Sequence, residues 1–337
     1  MAHAQDPSPD MTDASASAAR TQRTAWFQIH FCVLLWGFTA ILGKLITLGA
    51  MPLVWWRMAI VTALLLLVPR VWRGLRGMTP KLRLGYACAG TLIALHWLTF
   101  YAAVKLSNAS VGVICMAMVT VMTALIEPMF TGKRISKREV ALGVAALPGV
   151  LLVTDGVPDG MLVGIAVGGV SALLVAIFAS LNKRLLEHAD PLSVTALEMA
   201  SGACVLALLA PLTGLILPAL GGNPFELPGG RDAVLLLVLA IACTLLPFVL
   251  SLIAMRHMSA FAAQLAISLE PVYAILLAIV FLGEQRELTP QFYLGVAIIL
   301  GAVLVYPLLV RPKPAKGEAA APEHPELLAV SESKTLD

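Results

Sequence analysis

Glu270 stands beside Pro271 in the middle of an apolar run, SLEPVYAILLAIVFLGE, where an ionised carboxyl is expensive. A charged side chain at mid-bilayer depth costs at least ~2.5–3.5 kcal/mol, so it must face protein or water and either pair or stay neutral. Such a carboxyl can contact a solute amine, or gain and lose a coupling proton. The plainer alternative is a structural carboxyl bonded to a neighbouring helix.

His96 in HWLTFYA lies at similar depth, with Thr99 and Phe100 a turn along the same face. It is a second candidate for coupling and solute contact, although a lone membrane histidine more often joins two helices. Trp36, Thr120, Ser171 and Thr244 fall in the same layer, and Trp36 with Tyr273 offers aromatic walls suited to amphipathic organic solutes. The expected solute-binding set is therefore Trp36, His96, Thr120, Thr244, Glu270 and Tyr273, with Glu270 and His96 also expected in coupling. Lys44 and Arg57 lie nearer an interface, where they are expected to gate the outer side, to attract an anionic group, or to snorkel with Glu284 as an ion-pair partner. Glu198 is expected to snorkel near the opposite side.

No metal or cofactor is expected. The histidines have no ligand spacing, and Cys32, Cys88, Cys115, Cys204 and Cys243 are unpaired in pattern and look like small packing residues. A GxxxxGK[ST] loop is absent, as are GxSxG and HExxH, so the sequence encodes neither an ATP motor nor a familiar hydrolase.

The elements that position these residues follow from composition. Hydrophobic residues make up 59% of the 337 and charged residues 13%, with a mean hydropathy of +0.88, so lipid is the solvent for most of the chain. The net charge of +3 belongs to basic loops against anionic headgroups, and no nucleic acid is an expected partner. Apolar segments of membrane-spanning length are expected over 25–46, 53–71, 84–106, 108–130, 140–154, 161–181, 192–215, 232–255, 260–282 and 292–310. Only Lys105, Arg231 and Arg286 fall in loops on the side away from the tails, which predicts cytoplasmic ends by the positive-inside rule. The start, 1–24, lacks the pattern of a cleaved signal; it and 311–337 are expected to be disordered tails.

The chain repeats itself. LGVAALPGVLLV from Leu142 is echoed by LGVAIILGAVLV from Leu294, AVKLSNA from Ala103 by AMRHMSA from Ala254, and FTGKRIS from Phe130 by FLGEQREL from Phe281. Five helices per copy, over 25–154 and 160–310, would insert the second copy upside down, an arrangement suited to alternating access.

WGFTAILGK from Trp36, MPLVWWR ending at Arg57, HWLTFYA, the SLEP run ending at Glu284, and Gly295 with Gly301 together resemble the EamA-domain branch of the drug/metabolite transporter superfamily. The resemblance covers about 26–310. It implies an all-α polytopic membrane protein of ten helices in two inverted five-helix repeats. It also implies a cavity lined mainly by helices 1, 3, 4, 6, 8 and 9, peripheral helices 5 and 10, and transport of small metabolites, often outward. The first copy departs from the second: Thr120 replaces the proline of SLEP, Lys133 replaces Glu284, and Glu127 precedes Pro128.

The expected activity is secondary-active export of amino acids or similar amphipathic solutes from a bacterial inner membrane. Expected partners are a small-molecule solute, the lipid bilayer and a coupling proton; a homodimer is left open. A membrane-embedded enzyme, or a channel or scaffold, is the alternative.

Overall fold

Prolines and short polar side chains set the helix starts. Thr79 Oγ1 accepts from Leu82 N before Pro80, Asn108 Oδ1 accepts from Val111 N, and Asp190 accepts from Ser193 N before Pro191. The computed structural model describes residues 9–131, 137–185, 190–255, 266–267 and 269–309. Among these residues the ordered elements are all helical. In chain order they are α1 (Pro9–Leu45), α2 (Ala50–Leu66), α3 (Pro69–Gly77), α4 (Pro80–Leu106), α5 (Ala109–Ala117), α6 (Val119–Thr131), α7 (Lys137–Asp155) and α8 (Leu162–Leu185). They continue with α9 (Pro191–Ile216), α10 (Gly230–Ala240), a π-helical turn (Ile241–Leu245), α11 (Leu246–Met255), α12 (Glu270–Leu282) and α13 (Pro290–Leu309).

Among the described residues, four stretches are long and apolar enough to cross a bilayer unbroken: Arg23–Leu45, Pro80–Leu106, Asp159–Leu181 and Pro191–Ile216. Of the other expected segments, those over 53–71, 108–130 and 232–255 are bent or interrupted and that over 260–282 is described only in part, whereas α7 and α13 are single helices of 19 and 20 residues. After α2 the chain bends by 94° into α3, which carries Arg70, Arg73 and Arg76, so the segment expected over 53–71 ends earlier. At the N-terminus α1 starts at Pro9, so residues 9–24 continue the helix where disorder was expected. Their alanines favour helix, and extending an existing helix needs no new nucleus. The remaining tail residues and the loop at 132–136, with Lys133 and Arg134, lie outside the described residues.

Two breaks fall at one register. When the copies are aligned through Ala103 and Ala254, Met118 corresponds to Leu269 and Cys115 to Ala266. Met118 N donates to Cys115 O and Leu269 N to Ala266 O, both at 3.1 Å, tightening the chain before α6 and α12 respectively. Glu270 is thus the first residue of a helix that starts inside an apolar segment, where the positive end of the helix dipole favours a carboxylate.

The echoed glycines meet across the copies. A Cβ on Gly149 of α7 would lie 2.8 Å from Gly295 O, and one on Gly295 of α13 would lie 2.6 Å from Gly149 O. The main core gathers α1, α2, α4, α9 and α10, while a second cluster joins α5, α7, α12 and α13.

The end of the bundle away from the tails is tied by polar contacts. Asp232 accepts from Thr47 N, Thr47 Oγ1 and Leu48 N at 2.6–3.2 Å. Glu284 accepts from Ala109 N at 2.7 Å and Ser110 N at 2.8 Å, capping α5, and Asn108 Nδ2 donates to Glu287. Lys44 Nζ donates to Ser107 O and Lys105 Nζ to Ile46 O, each at 2.8 Å.

Candidate functional site

A cavity of about 510 Å³ lies between the helices, a size typical of small-molecule sites. Its floor is polar: Arg57, His96, Thr244 and Glu270, from α2, α4, the π-helical turn and α12, all line it. Trp36, Trp97, Phe100 and Met116 form apolar walls. Towards the tail-bearing end the lining continues through Val61, Ile93, Phe178, Thr195, Glu198 and Met199.

Arg57 is only 4% exposed, and its burial corrects the expectation of a snorkelling cation. Its Nε donates to Thr244 Oγ1 at 2.8 Å and its Nη1 to Tyr101 Oη at 3.0 Å. The guanidinium lies 3.7 Å from the Trp97 ring centroid, so an aromatic face takes up part of the charge lost from water. A guanidinium has five N–H donors; the three others have no protein acceptor among the described residues. The expected partner Glu284 is instead engaged in capping α5.

Thr244 is placed for this by the π-helical turn. Its hydroxyl donates to Leu239 O, five residues back, at 2.8 Å, and so presents a lone pair to Arg57. Pro247, following closely, has no N–H for a regular helical bond, which favours a local change of winding.

His96 is 8% exposed and bonded to α8. Ser171 Oγ donates to His96 O at 2.9 Å, so that hydroxyl and the Ser171 carbonyl, 2.8 and 3.0 Å from Nδ1, both act as acceptors for it. This puts the ring proton on Nδ1 and leaves Nε2 as an acceptor. The helix-joining role is therefore present, and the same ring lines the cavity.

Glu270 also lines the cavity, and among the described residues its carboxylate makes no hydrogen bond or ion pair with protein. Trp36 and Thr244 join it there as expected, whereas Tyr273 turns away and meets His30 Nδ1 through its hydroxyl at 3.2 Å. The Thr120 and Glu127 side chains lie outside the described residues, while Val119 and Met116 line the wall beside that helix break. Lys44 sits apart from the cavity, in the polar ties at the far end.

Three lining groups escaped the sequence reading. Thr195 and Glu198 come from α9 and Arg57 from α2, so the second helix and the seventh apolar segment join the six helices expected to face the cavity. The equivalent prolines Pro52 and Pro191 near the starts of these helices were a usable signal: charged residues follow each within two turns.

Comparison with known proteins places the whole helical region. No curated protein matches the chain. A solved structure described as "Crystal structure of protein" shares the fold with a TM-score of 0.57 at 17% identity, over 86% of this chain and 98% of the other. The model of the EamA-like transporter family matches twice, over residues 25–155 and 162–307, on either side of the turn that separates α7 from α8. The chain therefore belongs to the EamA-like transporter family, of the drug/metabolite transporter superfamily, and is an integral membrane transporter.

Proposed function

We propose that this transporter is a secondary-active exporter of amino acids or similar amphipathic zwitterions. It would cross the bacterial inner membrane ten times with both ends cytoplasmic, and work by alternating access of two inverted repeats. The observation that carries this reading is that Arg57, with three N–H groups given to no protein acceptor among the described residues, and Glu270, with no hydrogen bond or ion pair there, line one cavity between aromatic walls. A solute carboxylate fits the free N–H groups of Arg57 by charge-assisted hydrogen bonds, and a solute ammonium fits Glu270. Trp36, Phe100 and Met116 then take the apolar part.

Glu270 also suits a coupling proton, because the same carboxylate can hold either a proton or an ammonium in a site where an isolated charge is costly. His96 lines the same cavity, which supports a share in that role. The polar ties at the far end and the lining that runs towards the tails support an inward-facing state, with Lys44, Asp232 and Glu284 among the groups that close the outer side.

Reconstitution in sealed vesicles tests this reading. Saturable counterflow of a labelled neutral amino acid is expected, with Glu270→Gln abolishing its dependence on a proton gradient. Ionic current without exchange would indicate a channel, and chemical conversion of the solute an enzyme; either result would overturn the proposal.

A further inference from the structure

Between Asp13 and Glu127 the sequence holds no acidic residue, yet Arg70, Arg73, Arg76, Lys81 and Arg83 crowd into the stretch 70–83. Arg70 is matched by a carboxylate, its Nη2 lying 2.7 Å from Asp190 Oδ1. Arg73, Arg76 and Lys81 are exposed, and their side chains make no hydrogen bond or ion pair among the described residues; Arg83 gives Nη2 to Arg76 O at 3.3 Å. Four cations are thus left facing outward with no protein carboxylate beside them.

The bend after α2 gives them a direction. Because α3 turns 94° from α2, it runs across the line of a membrane-spanning helix and along the membrane surface. Val71 and Met78 are buried and Leu75 half-buried, so this side of α3 meets protein. At about 3.6 residues per turn, Trp72, Arg73 and Arg76 share the opposite side. Trp72 is 46% exposed, with its indole N–H on Leu66 O at 2.7 Å, and Leu67 before α3 and Leu84 after it are exposed as well. Apolar side chains suited to the acyl layer therefore stand next to guanidinium groups suited to headgroups, the layout of an interfacial helix.

We infer that the exposed side of α3 holds the phosphate of an anionic phospholipid, through Arg73 and Arg76 with Lys81 and Arg83 beside them, and that this lipid steadies the start of α9. Two guanidinium groups one turn apart suit phosphate oxygens by charge-assisted hydrogen bonds, and no nearby acid competes for them. The link to α9 is built into the packing. Ser193 Oγ lies 3.2 Å from Val71 O and 3.1 Å from Asp190 Oδ2, within reach of both acceptors, and Asp190, the cap of α9, carries the Arg70 pair. A Cβ on Gly74 would overlap Ser193 Oγ, so the two helices touch with no space between. From there α9 takes Thr195 and Met199 to the cavity wall. What holds α3 also holds that part of the lining.

Phosphatidylglycerol and phosphatidylcholine with the same acyl chains are the probes, added at equal mole fraction to the purified protein in neutral detergent. Phosphatidylglycerol should raise the melting temperature where phosphatidylcholine has little effect, and native mass spectrometry should show it bound about tenfold more tightly. Arg73→Gln combined with Arg76→Gln should remove most of both differences, whereas Arg231→Gln, at an exposed arginine near the opposite end, should keep them. Equal effects of the two lipids on the wild-type protein overturn the inference without any variant. So does a double variant that keeps the full difference, or loss of the same size in Arg231→Gln. Inorganic phosphate reproducing the whole shift would assign the cluster to a soluble anion and overturns the lipid site. Hydrogen exchange over 191–199 should slow when phosphatidylglycerol binds; unchanged exchange there overturns the link to α9.

Discussion

Arg57 shows how a single buried cation is kept available. Its hydrogen-bond partners are neutral, the Tyr101 and Thr244 hydroxyls, and its third neighbour is the face of Trp97. These three orient the guanidinium without neutralising it, so its remaining N–H groups stay available to an anion. Arg57→Gln is therefore expected to lower kcat/KM for zwitterion counterflow by at least tenfold, equal to about 1.4 kcal/mol or more of lost solute interaction. Thr244→Val, which removes only one orienting bond, should cost several-fold. Ser171→Ala tests the other buried ring: loss of its hydroxyl bonds to His96 should lower stability by about 1 kcal/mol, read as a fall in melting temperature in detergent. Glu270, His96 and Thr244 could be recognised in the sequence because they interrupt apolar surroundings at the right depth. The direction of Arg57 could not, because its near neighbours on α2 (Leu53, Val54, Met58 and Val61) are all apolar and buried, leaving no polar stripe to mark the inner face. Tyr273 misled for the opposite reason: its hydroxyl finds His30, more than two hundred residues away in sequence.

At the level of elements, the apolar helical character of the chain was legible in the sequence, while the interruptions of its helices were not. Hydropathy sees a continuous run through Met118 and through Ile241–Leu245, because a tightened or widened turn needs no change in greasiness. The tight packing of α7 on α13 was also hidden, although the glycines that allow it were the clearest echo in the chain. Gly149 and Gly301 are counterparts in that echo, yet their surroundings differ. A Cβ on Gly149 would meet Gly295 O and Ile299 Cγ1 at 2.8 Å, while one on Gly301 would meet nothing within 4 Å. Gly149→Leu should thus destabilise the fold by roughly 1–3 kcal/mol through overpacking. Gly301→Leu should leave the melting temperature nearly unchanged. Equal effects of the two substitutions would contradict this packing.

For the whole molecule, the carboxylate cap on α5 is a joint between the two copies: Glu284 follows the last long helix but one, and Ala109 and Ser110 open the fourth segment. Breaking it with Glu284→Gln removes a charged cap worth about 1 kcal/mol. The expected outcome is greater exposure of this end, measured as faster labelling of Ser110→Cys by a membrane-impermeant maleimide; unchanged labelling would show that the cap does not hold the closure. The match between copies gives that joint a further meaning. The position equivalent to Glu284 in the first copy is Lys133, and an ammonium cannot accept hydrogen bonds from a helix N-terminus. Under the proposed alternating access of inverted repeats, a molecule that traded the roles of its halves would lose this latch, and the residue type at the equivalent position could not rebuild it. On that proposal the two faces would be sealed by unlike chemistry, the two resting states would differ in free energy, and the cycle would pause preferentially in one of them even with no solute aboard.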